Sequence, residues 1–159
     1  QDNQVTGYQV ELEEREVDAI NAYDNSILYS DYFVSEVINL LKNDAVESTR
    51  TITYFSDHGE EVFQNDNIKG HTPDNLTKNM LEIPFIVWSS DQNSSQIISL
   101  RKNINSAFKL DGFFSYALTM LNVSSSILIT ERSPATENFQ APTQRKIYKT
   151  SYENILRKN

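Results

Sequence analysis

The chain has 159 residues, enough for one domain with a substantial core, and its 38% hydrophobic and 23% charged residues mark a globular chain, not a disordered one. A formal charge of −8 argues against nucleic acid and anionic lipid as partners, since both select basic patches. The absence of cysteine excludes a disulfide framework and a thiolate metal site, and leaves the compartment open.

Residues 1–12 are polar with little pattern. From Glu14 to Asn43 the apolar positions Val17, Ile20, Ile27, Val34, Val37, Ile38 and Leu41 recur at helical intervals, widened by Leu28, Phe33 and Leu40. This predicts one long helix, or two with a break at Asp24-Asn25, where short polar side chains compete for the backbone. Thr51 to Phe55 is a short strand rich in Thr, Ile and aromatics. Residues 56–82 read as loop. Ile83 to Trp88 reads as a second strand, parallel or nearly so to the first and covered on both faces, with Pro84 tolerated at its start. Ser94 to Phe108 and Asp111 to Leu121 read as two more helices, the second N-capped by Asp111. Arg145 to Thr150 reads as a final edge strand. No apolar run approaches the roughly 18 residues of a membrane span, and there is no signal peptide. Since the sequence opens on Gln1, it reads as an excised piece with any targeting segment upstream. Three matches to the N-glycosylation pattern, at Asn75, Asn93 and Asn122, are what chance gives in a chain rich in Asn and Ser.

Helices alternating with buried strands imply an α/β fold, in which ligands gather beyond the carboxyl ends of strands. Asp57 and His58 fall there, two and three residues past Phe55. Carboxylate and neutral imidazole are both good zinc ligands. Gly59 permits backbone angles that other residues avoid, and Glu60 or Glu61 can orient His58 through its second ring nitrogen. His71, the only other histidine, follows Gly70 and can return to the same cleft to bind an anion or move a proton. The same tripeptide is also an ordinary surface turn, and two ligands do not complete a zinc site, which takes three or four.

The stretches "YFSDHGEEVF", "GH" at position 70 and "MLEIPFIVW" resemble the sulfatase-like phosphoethanolamine transferases of the alkaline phosphatase superfamily. Upstream, "NAYDNSILYSDYFVSEVINLL" is similar to the helix before that motif, with its Tyr-Asp-Asn. "DGFFSYALTMLNV" resembles the family more loosely. The resemblance implies part of an alkaline phosphatase/sulfatase-like α/β/α sandwich, with residues 1–159 a single domain forming the C-terminal portion of a larger catalytic domain. It gives Asp57 and His58 to zinc and His71 to the phosphoethanolamine or phosphate. It implies an inner-membrane enzyme whose periplasmic domain moves phosphoethanolamine from a phospholipid donor to lipid A, a core sugar or another envelope glycolipid acceptor.

The family's nucleophile is a threonine which, like a glutamate ligand and a further substrate-binding histidine, lies well upstream of Tyr-Asp-Asn. Residues 1–20 are too short to hold those motifs, and neither Thr6 nor Glu11 fills the gap. The catalytic nucleophile is therefore expected upstream of this chain. The chain alone is expected to be inactive, to lack the upstream part of its own polypeptide as a partner, and to expose a sheet edge through which it can form a homodimer. A sulfatase or phosphatase of the same superfamily, and a non-catalytic remnant module, are the competing readings.

Overall fold

The structure, a computed structural model, describes residues 12–45, 47–64 and 68–157. Two compact units divide the chain, Gln1–Val46, Ile52–Trp88 and Asn154–Asn159 in the first, Glu47–Thr51 and Ser89–Glu153 in the second.

In the first unit α1 runs unbroken from Glu14 to Asn43. It starts on a capping box between Glu13 and Glu16, with the Glu13 N–H donating to the Glu16 carboxylate at 2.9 Å. Asp24 and Asn25 do not break it. Both are exposed and lie within the helix. The helix buries only Glu16 and Ile20 of its length, and Leu28, Tyr29, Tyr32, Phe33 and Leu40 face outward.

β1 is Thr51–Phe55, as the sequence predicts, and β4 is Phe85–Ser89. The Ser90 N–H donates to the Arg50 carbonyl at 2.9 Å and the Thr51 hydroxyl to Ser89 Oγ at 3.2 Å, while the Phe55 and Phe85 rings stack 5.8 Å apart. The start of β1 thus lies beside the end of β4, and the strands run in opposite directions, not parallel. Coverage on both faces is also not found. Phe85, Val87 and Trp88 are half-buried and Ile86 is 45% exposed, because among the described residues this sheet has two strands and nothing lies over that face. Pro84 falls just before the strand, where its missing N–H costs nothing.

The expected loop 56–82 carries a small hairpin, β2 (Glu61–Val62) against β3 (Lys69–Gly70), antiparallel with Glu61 opposite Gly70 and Val62 opposite Lys69. Glu61, in β2, and Met80 are fully buried.

In the second unit α2 is Ser95–Lys102, N-capped by Ser94, whose hydroxyl accepts from the Ile97 N–H. It stops well short of Phe108, since Asn103 turns its N–H back to Leu100 and Ser99 and sends its amide to the Pro134 carbonyl at 3.0 Å. α3 is Phe113–Met120. Asp111 does not cap it. Asp111 sits in the preceding 3₁₀ turn, Leu110–Gly112, paired with Lys109 at 2.9 Å. Tyr116, 1% exposed, fills the core between the rings of Phe108 and Phe113.

The predicted last strand is a tight hairpin, β5 (Lys146–Ile147) with β6 (Thr150–Ser151), followed by α4 (Tyr152–Leu156), which the sequence does not signal. Arg145 binds Glu153 at 2.8 Å and lies 3.9 Å from the centre of the Tyr152 ring. That hydrogen bond draws the Glu153 carboxyl down to about 2. A depressed carboxyl stabilises the fold above its unfolded value of about 4.5 and loses that contribution as pH falls toward about 2. The protection of the β5–β6 amides, relative to the intrinsic exchange rate at each pH, is therefore expected to fall on acidification through that window. Glu153→Gln should remove the dependence, and an identical pH profile in that variant would contradict the assignment.

Candidate metal and anion site

β1 delivers Ser56, Asp57 and His58 from its carboxyl end. Ser56 Oγ donates to the His58 carbonyl at 2.6 Å, and the His58 N–H donates to Asp57 Oδ1 at 3.1 Å, which folds the loop back on itself. Gly59 then passes so close to the 78–82 turn that its N–H donates to the Met80 carbonyl at 3.0 Å. A Cβ on Gly59 would lie 2.0 Å from the Asn79 carbonyl oxygen and 2.8 Å from that of Glu82. Glycine is needed here for close approach. The unusual backbone angle anticipated at Gly59 belongs instead to Gly70, at φ +96°.

The two histidines meet. The rings of His58 and His71 have centroids 4.3 Å apart, tilted by 33°. Asp57 is largely exposed, its Oδ2 lying 4.0 Å from His58 Nε2. His58 Nδ1 faces the Gly59 carbonyl at 3.0 Å and Glu60 Oε1 at 3.7 Å. The Gly59 carbonyl, with the charges of Asp57 and Glu60, raises the His58 pKa above its ordinary value against a smaller opposing effect of burial. Of the two glutamates offered as alternatives to orient His58, Glu60 lies beside Nδ1 but at 3.7 Å, beyond a hydrogen bond, and the Gly59 carbonyl takes that contact at 3.0 Å. The Glu61 carboxylate is buried and turned to Gln64 and Asn79.

This donor set fits zinc in part. With Nδ1–H directed at a carbonyl, His58 presents the lone pair of Nε2 toward Asp57, the tautomer that metal-binding histidines adopt. Ligands at about 2.0–2.2 Å around a tetrahedral ion stand roughly 3.3–3.5 Å apart, so the 4.0 Å gap needs only a small side-chain adjustment. Among the described residues no group of three or more His, Asp or Glu side chains is gathered to hold an ion.

Tyr23, from the Tyr-Asp-Asn stretch of α1, reaches this neighbourhood. Burial and the charges of Glu60 and Asp24, with a smaller effect from Tyr54, raise its hydroxyl pKa. Gln64 and Asn79 carry no sequence signal as supports of the loop, since no periodicity marks them. Glu61, three residues past His58, is expected from the sequence to orient that histidine, and its burial against Asn79 is not foreseen.

The sulfatase family model matches residues 1–122. The chain belongs to the sulfatase family. Among curated proteins it is 40% identical over 83 residues to phosphoethanolamine transferase EptC of Escherichia coli (strain K12), covering 51% of this chain and 14% of that protein. It is 32% identical over 113 residues to phosphoethanolamine transferase EptA of Salmonella typhimurium, covering 67% of the chain and 21% of that protein. The chain therefore spans only a small share of the relatives it matches. Among solved structures, the C-terminal periplasmic domain of EptC from E. coli aligns with TM-score 0.79 and 26% identity, over 97% of this chain and 46% of that one. A second structure of the same E. coli domain, in complex with Zn, aligns with TM-score 0.75 and 26% identity, over 89% and 40%. The EptC periplasmic domain of Campylobacter jejuni aligns with TM-score 0.68 and 31% identity, over 77% and 39%. The α/β sulfatase-like fold expected from the motifs is the fold of this chain. No helix of the described residues is long and apolar enough to cross a membrane.

Proposed function

We propose that this chain is part of a zinc-dependent phosphoethanolamine transferase, with Asp57 and His58 as two of the zinc ligands and His71 facing the phosphate of the donor. The observation that carries this reading is the meeting of His58 and His71, thirteen positions apart, beside Asp57 at the end of β1. Zinc held there would polarise a phosphoryl oxygen and favour an ionised hydroxyl nucleophile. The chain's own part is to orient and to move protons. Asp57 and the Nε2 face of His58 hold the ion side, Glu60 and the Gly59 carbonyl fix the His58 ring, and the exposed His71 edge meets the anionic group. A threonine nucleophile and the remaining ligands come from residues outside those described here.

Relatives in this family carry the names phosphoethanolamine transferase and, for an E. coli protein 34% identical over 74 residues, Kdo(2)-lipid A phosphoethanolamine 7''-transferase. The second name supports an envelope glycolipid acceptor, and the likeness to the periplasmic domain of EptC supports a periplasmic location for the domain; the phospholipid donor is part of the proposal. In the complete enzyme His71→Ala is expected to slow release of phosphoethanolamine from a lipid donor by about 10²-fold or more, the scale of a lost proton-transferring or charge-binding group, with the circular dichroism spectrum unchanged. Wild-type turnover in that variant would remove His71 from the site.

A further inference from the structure

Asn79 holds both histidine-bearing segments at once. Its backbone carbonyl oxygen lies against Gly59, the neighbour of His58, too close for any side chain there. Its side-chain amide spends both hydrogens on the hairpin. One goes to Gln64 Oε1 at 2.6 Å, and the other is shared by Glu61 Oε2 at 3.2 Å and Oε1 at 3.3 Å. Glu61 is fully buried, also accepts the Gln64 N–H at 2.9 Å, and stands opposite Gly70, the neighbour of His71. Met80, next in the chain and also fully buried, accepts the Gly59 N–H.

We propose that Asn79, through its carbonyl against Gly59 and its amide on buried Glu61, is a positioning residue that sets the contact between His58 and His71. Breaking the amide–carboxylate bond takes one donor from a buried acid, a loss that the hairpin offsets by opening toward water. Opening β2 from Asn79 carries Gly70 and His71 away from His58, while the rest of the first unit keeps its own contacts. The consequence for metal rests on the zinc reading above. The clamp itself does not.

The test uses the chain without metal, then with zinc. In Asn79→Ala the Gly59 amide is expected to exchange at least tenfold faster, while α3 amides keep wild-type rates. The nuclear Overhauser contact between the two imidazole rings should vanish. Asn79→Asp should do the same, because it sets two acceptors against each other. The exchanged pair Asn79→Asp with Glu61→Gln restores one donor and one acceptor and should bring back both signals. A purely structural role would instead lower thermal stability without rescue by the exchanged pair. Zinc affinity should follow the ring contact, falling about 10-fold or more as for other partners that orient metal ligands. Wild-type Gly59 exchange and an intact ring contact in Asn79→Ala would overturn the proposal. If that variant does not fold, the behaviour of Asn79→Asp alone and paired with Glu61→Gln decides. If the wild-type chain alone holds zinc too weakly to measure, the exchange and ring-contact readouts decide the clamp.

Discussion

Gly59→Ala is expected to be among the most damaging single substitutions in the first unit. The added methyl would stand 2.0 Å from the Asn79 carbonyl oxygen and 2.8 Å from the Glu82 carbonyl oxygen. Both are backbone atoms, so no side chain can swing aside to make room. Leu81 and Glu82 N–H groups both donate to the Lys78 carbonyl, so the turn that carries Asn79 is itself braced. The loop must then lift, breaking the Gly59 N–H bond to Met80. Ordinary overpacking costs about 1–3 kcal/mol, and with a backbone hydrogen bond lost as well the expected destabilisation is about 3 kcal/mol or more. A thermal melt with the ring contact of His58 and His71 as a local probe measures it. Wild-type stability with the ring contact intact would show that the loop does not pass where the structure places it.

What the sequence made legible here has physical reasons. Helical periodicity over about thirty residues marked the extent of α1, leaving open the break at Asp24-Asn25 that the structure does not show, and a β-branched run with a polar stop found β1. Both signals are local. The direction of β4 and the exposure of Ile86 were not legible, since both depend on which strands are neighbours. A run such as Phe85 to Trp88 looks alike in a covered and a half-covered sheet. Asp111 illustrates a second failure. Its side chain is a good cap in isolation, but Lys109 claims it and Gly112 takes the capping position. At the candidate site, Asp57, His58 and His71 were singled out because motif and chemistry coincide there, and the structure brings the two histidine rings together. The bond between Asn79 and Glu61 was hidden because it joins positions 18 residues apart that no local pattern links.

The second large effect concerns the metal. Asp57 and His58 supply different donors from adjacent positions, and the described residues gather no third ligand. Removing either leaves one protein donor where about three are usual in a catalytic zinc site. Asp57→Ala and His58→Ala are therefore each expected to abolish zinc binding by this chain, while leaving its melting temperature nearly unchanged. Both side chains are substantially exposed and fill no core, so little packing is lost. His71→Ala should weaken binding far less, because in this account His71 serves the anion and not the ion. Equal losses in all three variants would put His71 among the ligands.

The zinc assignment is decided by calorimetric titration of zinc into the 159-residue chain beside Asp57→Ala and His58→Ala. The wild-type chain is expected to bind weakly, with no sharp inflection at micromolar protein, no heat of binding in either variant, and no release of phosphoethanolamine from a lipid donor. Tight one-to-one binding that survives both substitutions would contradict the ligand assignment. Tight binding abolished by both, accompanied by turnover, would contradict the claim that the site is completed by residues outside those described.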